Sequence, residues 1–316
     1  MVLTGAMGAG ALAYSTIEPD WLRLLLTILF VLVVGLALAM RRLRRGVAIW
    51  AAMMVVIVVW FELDKPLNNR DWAPEYRVIA TWSRQGNTIN IDNVRNFSYR
   101  SDGSAIPAYY DATYRPDQVT TVDLVTSYWA GEAIAHVFLT FGFQDGRHLA
   151  LSIETRRQER FPYSAIAGFF HHFELFYVVA DERDLIGVRT DIRHERVYLY
   201  RLNVSQDRRT ALFLSYLDAV QKLAVQPAWY NTLTDNCTTG ILVRAGAKGS
   251  VRYDWRIVLS GYAAQLAYDK GLLNKSLPFS ALKKASLIRR PQNAVIDSHY
   301  SSEIRHGLPL KFHTVS

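Results

Sequence analysis

Hydrophobic positions run almost unbroken at the start of this chain and come in short bursts afterwards. The stretch 24–40 carries no charge and is dominated by Leu, Val and Ala. With Trp21 to Arg23 it approaches the ~20 residues needed to cross ~30 Å of hydrocarbon. A second uncharged run, 46–61, has 16 residues and would rise only about 24 Å as a helix, so flanking side chains or a thinner bilayer must supply the difference. The pattern predicts a membrane anchor over 1–63 with two transmembrane helices, about 21–40 and 46–62. Residues 1–17 are uncharged but rich in Gly and Ala, and read as a further span or as a tail. Between the two runs lies Arg41-Arg42-Leu43-Arg44-Arg45, and a short Arg-rich loop is retained on the cytoplasmic side. Everything after Phe61 then lies outside the cytoplasm. Four Arg between two such runs argue against a buried hairpin of a soluble protein, and no small-residue cleavage site follows the first run.

The rest of the chain alternates in shorter periods. Residues 64–89 contain Pro66, Asn68-Asn69 and Pro74 without a sustained apolar period, which predicts a linker. A globular domain is expected over 90–290, followed by a polar tail over 291–316. Within the domain, 133–143 and 148–153 are β-rich runs around Gln144-Asp145-Gly146, the composition of a hairpin turn. Strands are also expected over 176–180 and 197–202. Leu212, Leu214, Leu217, Val220 and Leu223 recur at helical spacing over 206–226, and the run ends at Pro227. Helices are expected over 239–247 and 258–269. Strands in a block, flanked by helices that do not alternate with them, predict an α+β fold and not a doubly wound parallel sheet.

Composition narrows the function. With 316 residues, half of them hydrophobic, the chain can build a real core. A single Cys excludes an internal disulfide, Cys-based zinc fingers and Cys-x-x-Cys redox motifs. The net charge of +8 fits nucleic acid or an anionic lipid surface, and the membrane anchor favours lipid. Walker A, Gly-x-Gly-x-x-Gly in a strand-to-helix context and His-Glu-x-x-His are missing, so nucleotide and zincin chemistry gain no support. No cofactor and no metal are expected, and no nucleic-acid partner.

The one thiol carries the clearest chemistry. Cys237 follows Thr234-Asp235-Asn236 and precedes an apolar helical run. Asp and Asn are good N-cap residues, so the sulfur is expected in the first turn of a helix, where free N–H groups and the dipole favour thiolate. A buried structural Cys is the competing reading, but both flanks are polar. A nucleophilic thiol needs a base, and His136 stands out because Ala135-His136-Val137-Phe138-Leu139 embeds it in an apolar strand, where an imidazole needs a polar partner. If Gln144-Asp145-Gly146 is a three-residue loop with Gly146 left-handed, His136 falls opposite Glu154 on the same face. A two-residue Asp145-Gly146 loop would set it opposite Thr155 instead. Cys237, His136 and Glu154 would then form the Cys-His-acid arrangement of papain-like enzymes in permuted chain order. Asn236 and Thr238, which flank the sulfur, and Arg156 in the charged cluster after Glu154 are candidates for holding substrate or a developing oxyanion.

Three ordered segments, Ala135-His136-Val137-Phe138-Leu139-Thr140-Phe141-Gly142-Phe143, Ser152-Ile153-Glu154-Thr155-Arg156 and the stretch from Tyr230 through Asn236-Cys237-Thr238-Thr239, resemble the DUF4105 family. That family is also called the Lnb N-terminal periplasmic domain, and it includes the Bacteroides-type lipoprotein N-acyltransferase. The resemblance runs from about Asn90 to Arg290, with further support from Val178 to Asp184 and Leu277-Pro278-Phe279. It implies a papain-like, permuted NlpC/P60-type thiol-enzyme domain in the periplasm, tethered to the bacterial inner membrane. Cys237 matches the family nucleophile and His136 the histidine. The implied activity is an acyltransferase in lipoprotein maturation, with a phospholipid as acyl donor and a lipoprotein α-amine as acceptor. A cysteine peptidase or amidase acting on peptidoglycan or protein is the alternative, since papain-like sites serve both chemistries. A non-catalytic membrane scaffold is the third, and would show a Cys237 with no imidazole in reach.

Overall fold

The apolar runs at the N-terminus fold as helices: α1 Val2–Ala13, α2 Asp20–Ala39 and α3 Leu43–Leu63. The latter two have 20 and 21 residues and are long and apolar enough to cross a membrane, each rising about 30 Å. Leu24, Leu36 and Val55 are more than half exposed on them, apolar surface that hydrocarbon would cover. The helix α1 has 12 residues, a rise of about 18 Å and shorter than a span. It packs through Ala11 and Leu12 against Phe30, Val34 and Ile57. In this computed structural model residues 1–100, 102–246, 254–291 and 294–312 are described.

The chain divides into two units. The first joins Met1–Trp72 to Thr155–Leu175 and Pro227–Thr232. Aromatic stacking holds these segments: His171 lies between Phe61 and Trp229, with ring centroids 3.7 and 4.7 Å away. Trp229 Nε1 also donates to the Asp64 carbonyl at 3.0 Å.

The second unit, Ala73–Glu154, Phe176–Gln226 and Leu233–Ser316, mixes strands and helices. Its strands are β1 Thr81–Gln85, β2 Thr88–Arg95, β3 Ser98–Tyr99, β4 Ala105–Ile106, β5 Tyr109–Tyr114, β6 Val119–Tyr128, β7 His136–Phe143, β8 His148–Arg156, β9 Glu174–Ala180 and β10 Arg196–Arg201. Its helices are α4 Glu182–Leu185, α5 Gln206–Val225, α6 Cys237–Arg244, α7 Ala263–Asp269, α8 Phe279–Ala285 and α9 Tyr300–Glu303. The main sheet runs β1-β2-β9-β8-β7-β6-β10, with β5 on β2. Its registered pairs are antiparallel except the single β2–β9 contact at Arg95 and Ala180.

The sheet begins at Thr81, inside the stretch expected to be a linker, where β1 pairs with β2, whose positions 88–91 alternate half-buried and buried. The longest strand, β6, is buried over nearly its whole length. A strand covered on both faces loses the polar alternation that marks strands in a sequence. One face is covered by α5, where Phe213 and Tyr216 are buried beside Leu212, Leu217 and Val220. Phe213 packs at 5.3 Å from Phe141 and 5.4 Å from Phe143. The helix expected over 258–269 is shortened to α7 by two brief helical turns, Trp255–Ile257 and Ser260–Tyr262. Ala247, expected at the end of a helix, and His313 lie outside the described residues.

The C-terminal stretch is part of the interior. Tyr300 and Ile304 join Val125, Phe138, Phe176 and Leu199 in the core of the other sheet face. Arg305 donates to Glu182 Oε1 at 2.6 Å and Oε2 at 2.8 Å, and to Asp123 Oδ2 at 3.0 Å. Both carboxylates are fully buried. Burial would raise the Glu182 pKa, but Arg305 and His148 outweigh it and lower it from 4.5 to about 2.

Removing Arg305 would leave two carboxylates buried beside a weaker cation set, and breaking such a pair costs about 3–5 kcal/mol. Arg305→Leu is therefore expected to lower the thermal unfolding midpoint of the detergent-solubilised protein clearly. Because the folded Glu182 pKa is depressed, the stability it contributes is present above 4.5 and is lost as pH falls toward about 2. The gap between wild type and variant should narrow over that window. An equal gap at both ends would contradict the assignment.

Candidate active site

The site is built at the turn of the β7–β8 hairpin and at its open end. The Phe143 N–H donates to the Arg147 carbonyl at 2.9 Å, the Gly146 N–H donates to the Phe143 carbonyl at 3.0 Å, and Gly146 has φ +84°. The loop is thus Gln144-Asp145-Gly146, and glycine is there because the left-handed region disfavours a side chain. Pairs such as Leu139 with Leu151 and Gly142 with His148 follow. Continuing that register sets His136 opposite Glu154, and the alternative with Thr155 drops out.

The side chains meet accordingly. His136 Nε2 lies 3.4 Å from Glu154 Oε1 and 2.6 Å from Ser152 Oγ, whose hydroxyl donates to Glu154 Oε1 at 3.0 Å. A serine hydroxyl has one proton, so when it goes to Glu154 the His136 Nε2–H must be the donor to Oγ. Nδ1 is then the unprotonated nitrogen of the neutral ring, the one available to a thiol.

Cys237 opens α6. Asn236 caps it, its Oδ1 accepting from the N–H groups of Thr238 and Thr239, both at 2.9 Å. The helix lies over the sheet face that carries Val137 and Ile153. A Cβ added at Gly240 would come within 2.2 Å of Ile153 Cδ1, so glycine permits this approach. The first residue of α6 thereby reaches the start of β7. There the His136 side chain and the Val137 N–H come near enough to the Cys237 sulfur to lower its pKa. Thr238 Oγ1 stands 3.9 Å from the sulfur.

Electrostatics polarise this group. Burial alone would raise the Cys237 pKa, but the hydrogen bond and charge of His136, with Val137 and Thr238, bring it below 9.0. Burial alone would lower His136, but its bonds to Cys237 and Glu154 raise it above 6.5. Glu154 is held well below the ordinary carboxylate range, against burial, by His136 and by the Arg189 and Arg95 charges. The Arg189 Nη2 atom lies 3.3 Å from Glu154 Oε1, and Arg189 is anchored through Nη1 to the Leu185 carbonyl at 2.5 Å. Arg95 is fixed by Asp184 at 2.7 and 3.1 Å. The arrangement favours a thiolate beside an imidazolium, with an ionised acid behind the ring.

One expected contact turns out differently. Arg156 belongs to the first unit, where it is buried, stacks 4.2 Å over the Trp72 ring and donates to Asn68 Oδ1 at 2.8 Å. The charge cluster in the sequence did not disclose these partners. Ser152 and Arg189 join the group without having been singled out. Ser152 had a signal, since positions 152 and 154 of one strand share a face. Arg189 had none, because it comes from the helical turn Val188–Ile192, remote in sequence. Among the described residues no cluster of three or more His, Cys, Asp or Glu is placed to hold a metal ion.

Residues 105–261 match the sequence model of the family described as the Lnb N-terminal periplasmic domain. The family expected from the motifs is the one found, and the matched stretch includes Cys237, His136 and Glu154. No curated protein and no solved structure matches the chain. With the two apolar helices, the family match describes a membrane-anchored protein with a periplasmic domain.

Because Cys237 is the only thiol, its protonation can be read by alkylation. The rate of iodoacetamide labelling is expected to inflect below the ~8.5 of a free thiol. In His136→Ala burial loses its main opponent, so the inflection should rise by about 1–3 pH units. An unchanged profile would separate the imidazole from the thiol.

Proposed function

We propose that this chain, as a carrier of the Lnb N-terminal periplasmic domain, is a papain-like thiol acyltransferase of the bacterial inner membrane. Its acyl donor is a phospholipid, and its acceptor is the α-amine of a lipoprotein's diacylglyceryl-cysteine. The observation that carries the reading is the sulfur of Cys237 at a capped helix start, beside an imidazole that lowers its pKa and is itself held by Ser152 and Glu154. Such a group has no use in a passive scaffold, and a membrane tether favours lipid as substrate.

In the first half-reaction the thiolate attacks the donor ester carbonyl. A C–S bond forms, the ester C–O bond breaks, and the His136 imidazolium gives its proton to the departing lysophospholipid oxygen. Water is the wrong nucleophile for the second half. The acceptor amine attacks the thioester, an N–C bond forms as the C–S bond breaks, and His136 takes the amine proton, which restores the thiolate–imidazolium pair. Glu154 stabilises the imidazolium and keeps Nε2 protonated, without transferring a proton itself. Thr238, beside the sulfur, and the Val137 N–H line the path of the acyl carbonyl.

Incubation of the purified protein with phospholipid should give an intact-mass increase of one acyl group on Cys237. Cys237→Ala should lose the adduct and all transfer while staying folded, because the first turn of a helix accepts Ala. His136→Ala should slow acylation by about 10²–10⁴, and Glu154→Gln by less. Hydrolysis of a peptide or amide substrate without any acyl adduct would replace this function with a peptidase or amidase.

Topology gives a separate check. If the Arg41 to Arg45 connection is cytoplasmic, a reporter fused after Ser316 should be active only outside the cytoplasm. Activity on the inside would remove the periplasmic mechanism.

A further inference from the structure

Beside the thiol, the second unit contains an apolar cavity of about 510 Å³, within the range of small-molecule pockets, ~300–1,000 Å³. Its walls are largely aliphatic, including Val137, Leu139, Leu212, Ile241, Leu242 and Leu266. Aliphatic walls hold water poorly, and covering them with an apolar group removes that surface from solvent. The cavity is therefore shaped for an apolar occupant.

Its position relates it to the chemistry. Val137 and Thr238 both line it. Val137 follows His136 and its N–H lies near enough to Cys237 to lower the thiol pKa, while Thr238 follows Cys237 with its hydroxyl 3.9 Å from the sulfur. These two residues connect the cavity wall to the thiol. Arg208 and Lys270 also line the cavity and are exposed, so they stand on its solvent side as cations. An aliphatic interior with a cationic rim complements a molecule with a long hydrocarbon chain and an anionic head.

We infer that this cavity holds the acyl chain of the phospholipid donor, and that Arg208 and Lys270 take its phosphate. The inference rests on the acyltransferase reading and adds to it the place of the chain and the basis of chain-length selection. As the chain is drawn in, each buried methylene adds to binding, so long-chain donors should load Cys237 in preference to short ones.

The test uses the full chain in detergent with vesicles or micelles of dipalmitoyl or dihexanoyl phosphatidylglycerol, reading the Cys237 thioester by intact mass. Wild type should load palmitoyl preferentially. Ala211→Trp and Ala267→Trp place an indole on the cavity lining at exposed and half-buried positions. Each should reduce palmitoyl loading at least about tenfold and leave hexanoyl loading and iodoacetamide labelling of Cys237 unchanged, the latter showing that the fold and thiol are intact. Arg208→Ala with Lys270→Ala should weaken loading from phosphatidylglycerol but not from p-nitrophenyl palmitate, which has no phosphate. If wild type loads normally and both Trp variants keep its chain-length profile, the cavity is not the chain site and the acyltransferase reading stands without it. If wild type loads no acyl group, that reading fails. Photocrosslinking of Cys237→Ala with a diazirine-tailed phosphatidylglycerol then decides the cavity alone. Label on α5 and α7 upholds the chain site. Label elsewhere, or label displaced by free palmitate but not by phospholipid, overturns the phospholipid assignment.

Discussion

Everything at the candidate site depends on one register. The three-residue turn at Gln144-Asp145-Gly146 pairs β7 with β8 so that His136 and Glu154 share a face, and a slip by one residue would turn Glu154 away. The same parity brings Ser152 to the imidazole. Because the hydroxyl proton is committed to Glu154, the ring tautomer is decided by the strand pairing and not by the thiol. A backbone device of a few residues thus determines which nitrogen can act as base.

The register alone would not keep Glu154 ionised. A half-buried carboxylate tends to take up a proton, and here His136, then Arg189 and the more distant Arg95, hold it charged. Arg95 is in turn fixed by Asp184, which also accepts from the Phe97 N–H and Tyr99 hydroxyl. Asp123, Arg305 and Glu182 repeat the pattern on the C-terminal side of the unit. The domain uses guanidinium groups inside its structure as fixed counter-charges.

The helix that carries the nucleophile is short, so its placement matters more than its length. Asn236 satisfies two of its free N–H groups, and Gly240 lets it settle on Ile153. The Val137 backbone N–H then helps to lower the thiol pKa, a contribution that no side-chain substitution removes. Burial opposes the thiolate, and three partners overcome it. The balance is local and holds in whatever environment the membrane anchor provides.

Several parts were legible from residue order alone. The two spans follow from uncharged runs of sufficient length, the hairpin from a Gly-containing turn between β-rich runs, and Cys237 at a helix start from its capping neighbours. These are short-range signals, in which a few adjacent residues act through their own backbone preferences. What they left unread is what depends on distant partners. The strand β6 was hidden because burial on both faces erases alternation, and the stretch 291–316 looked like a tail because Tyr300, Ile304 and Arg305 reach the interior from a segment without a regular apolar period. Arg156 was read from its charged cluster, and Arg189 carried no signal at all. Folding sends the first to Trp72 and Asn68 and the second to Glu154, because a guanidinium's partner is chosen by tertiary packing and desolvation, quantities that no local pattern contains.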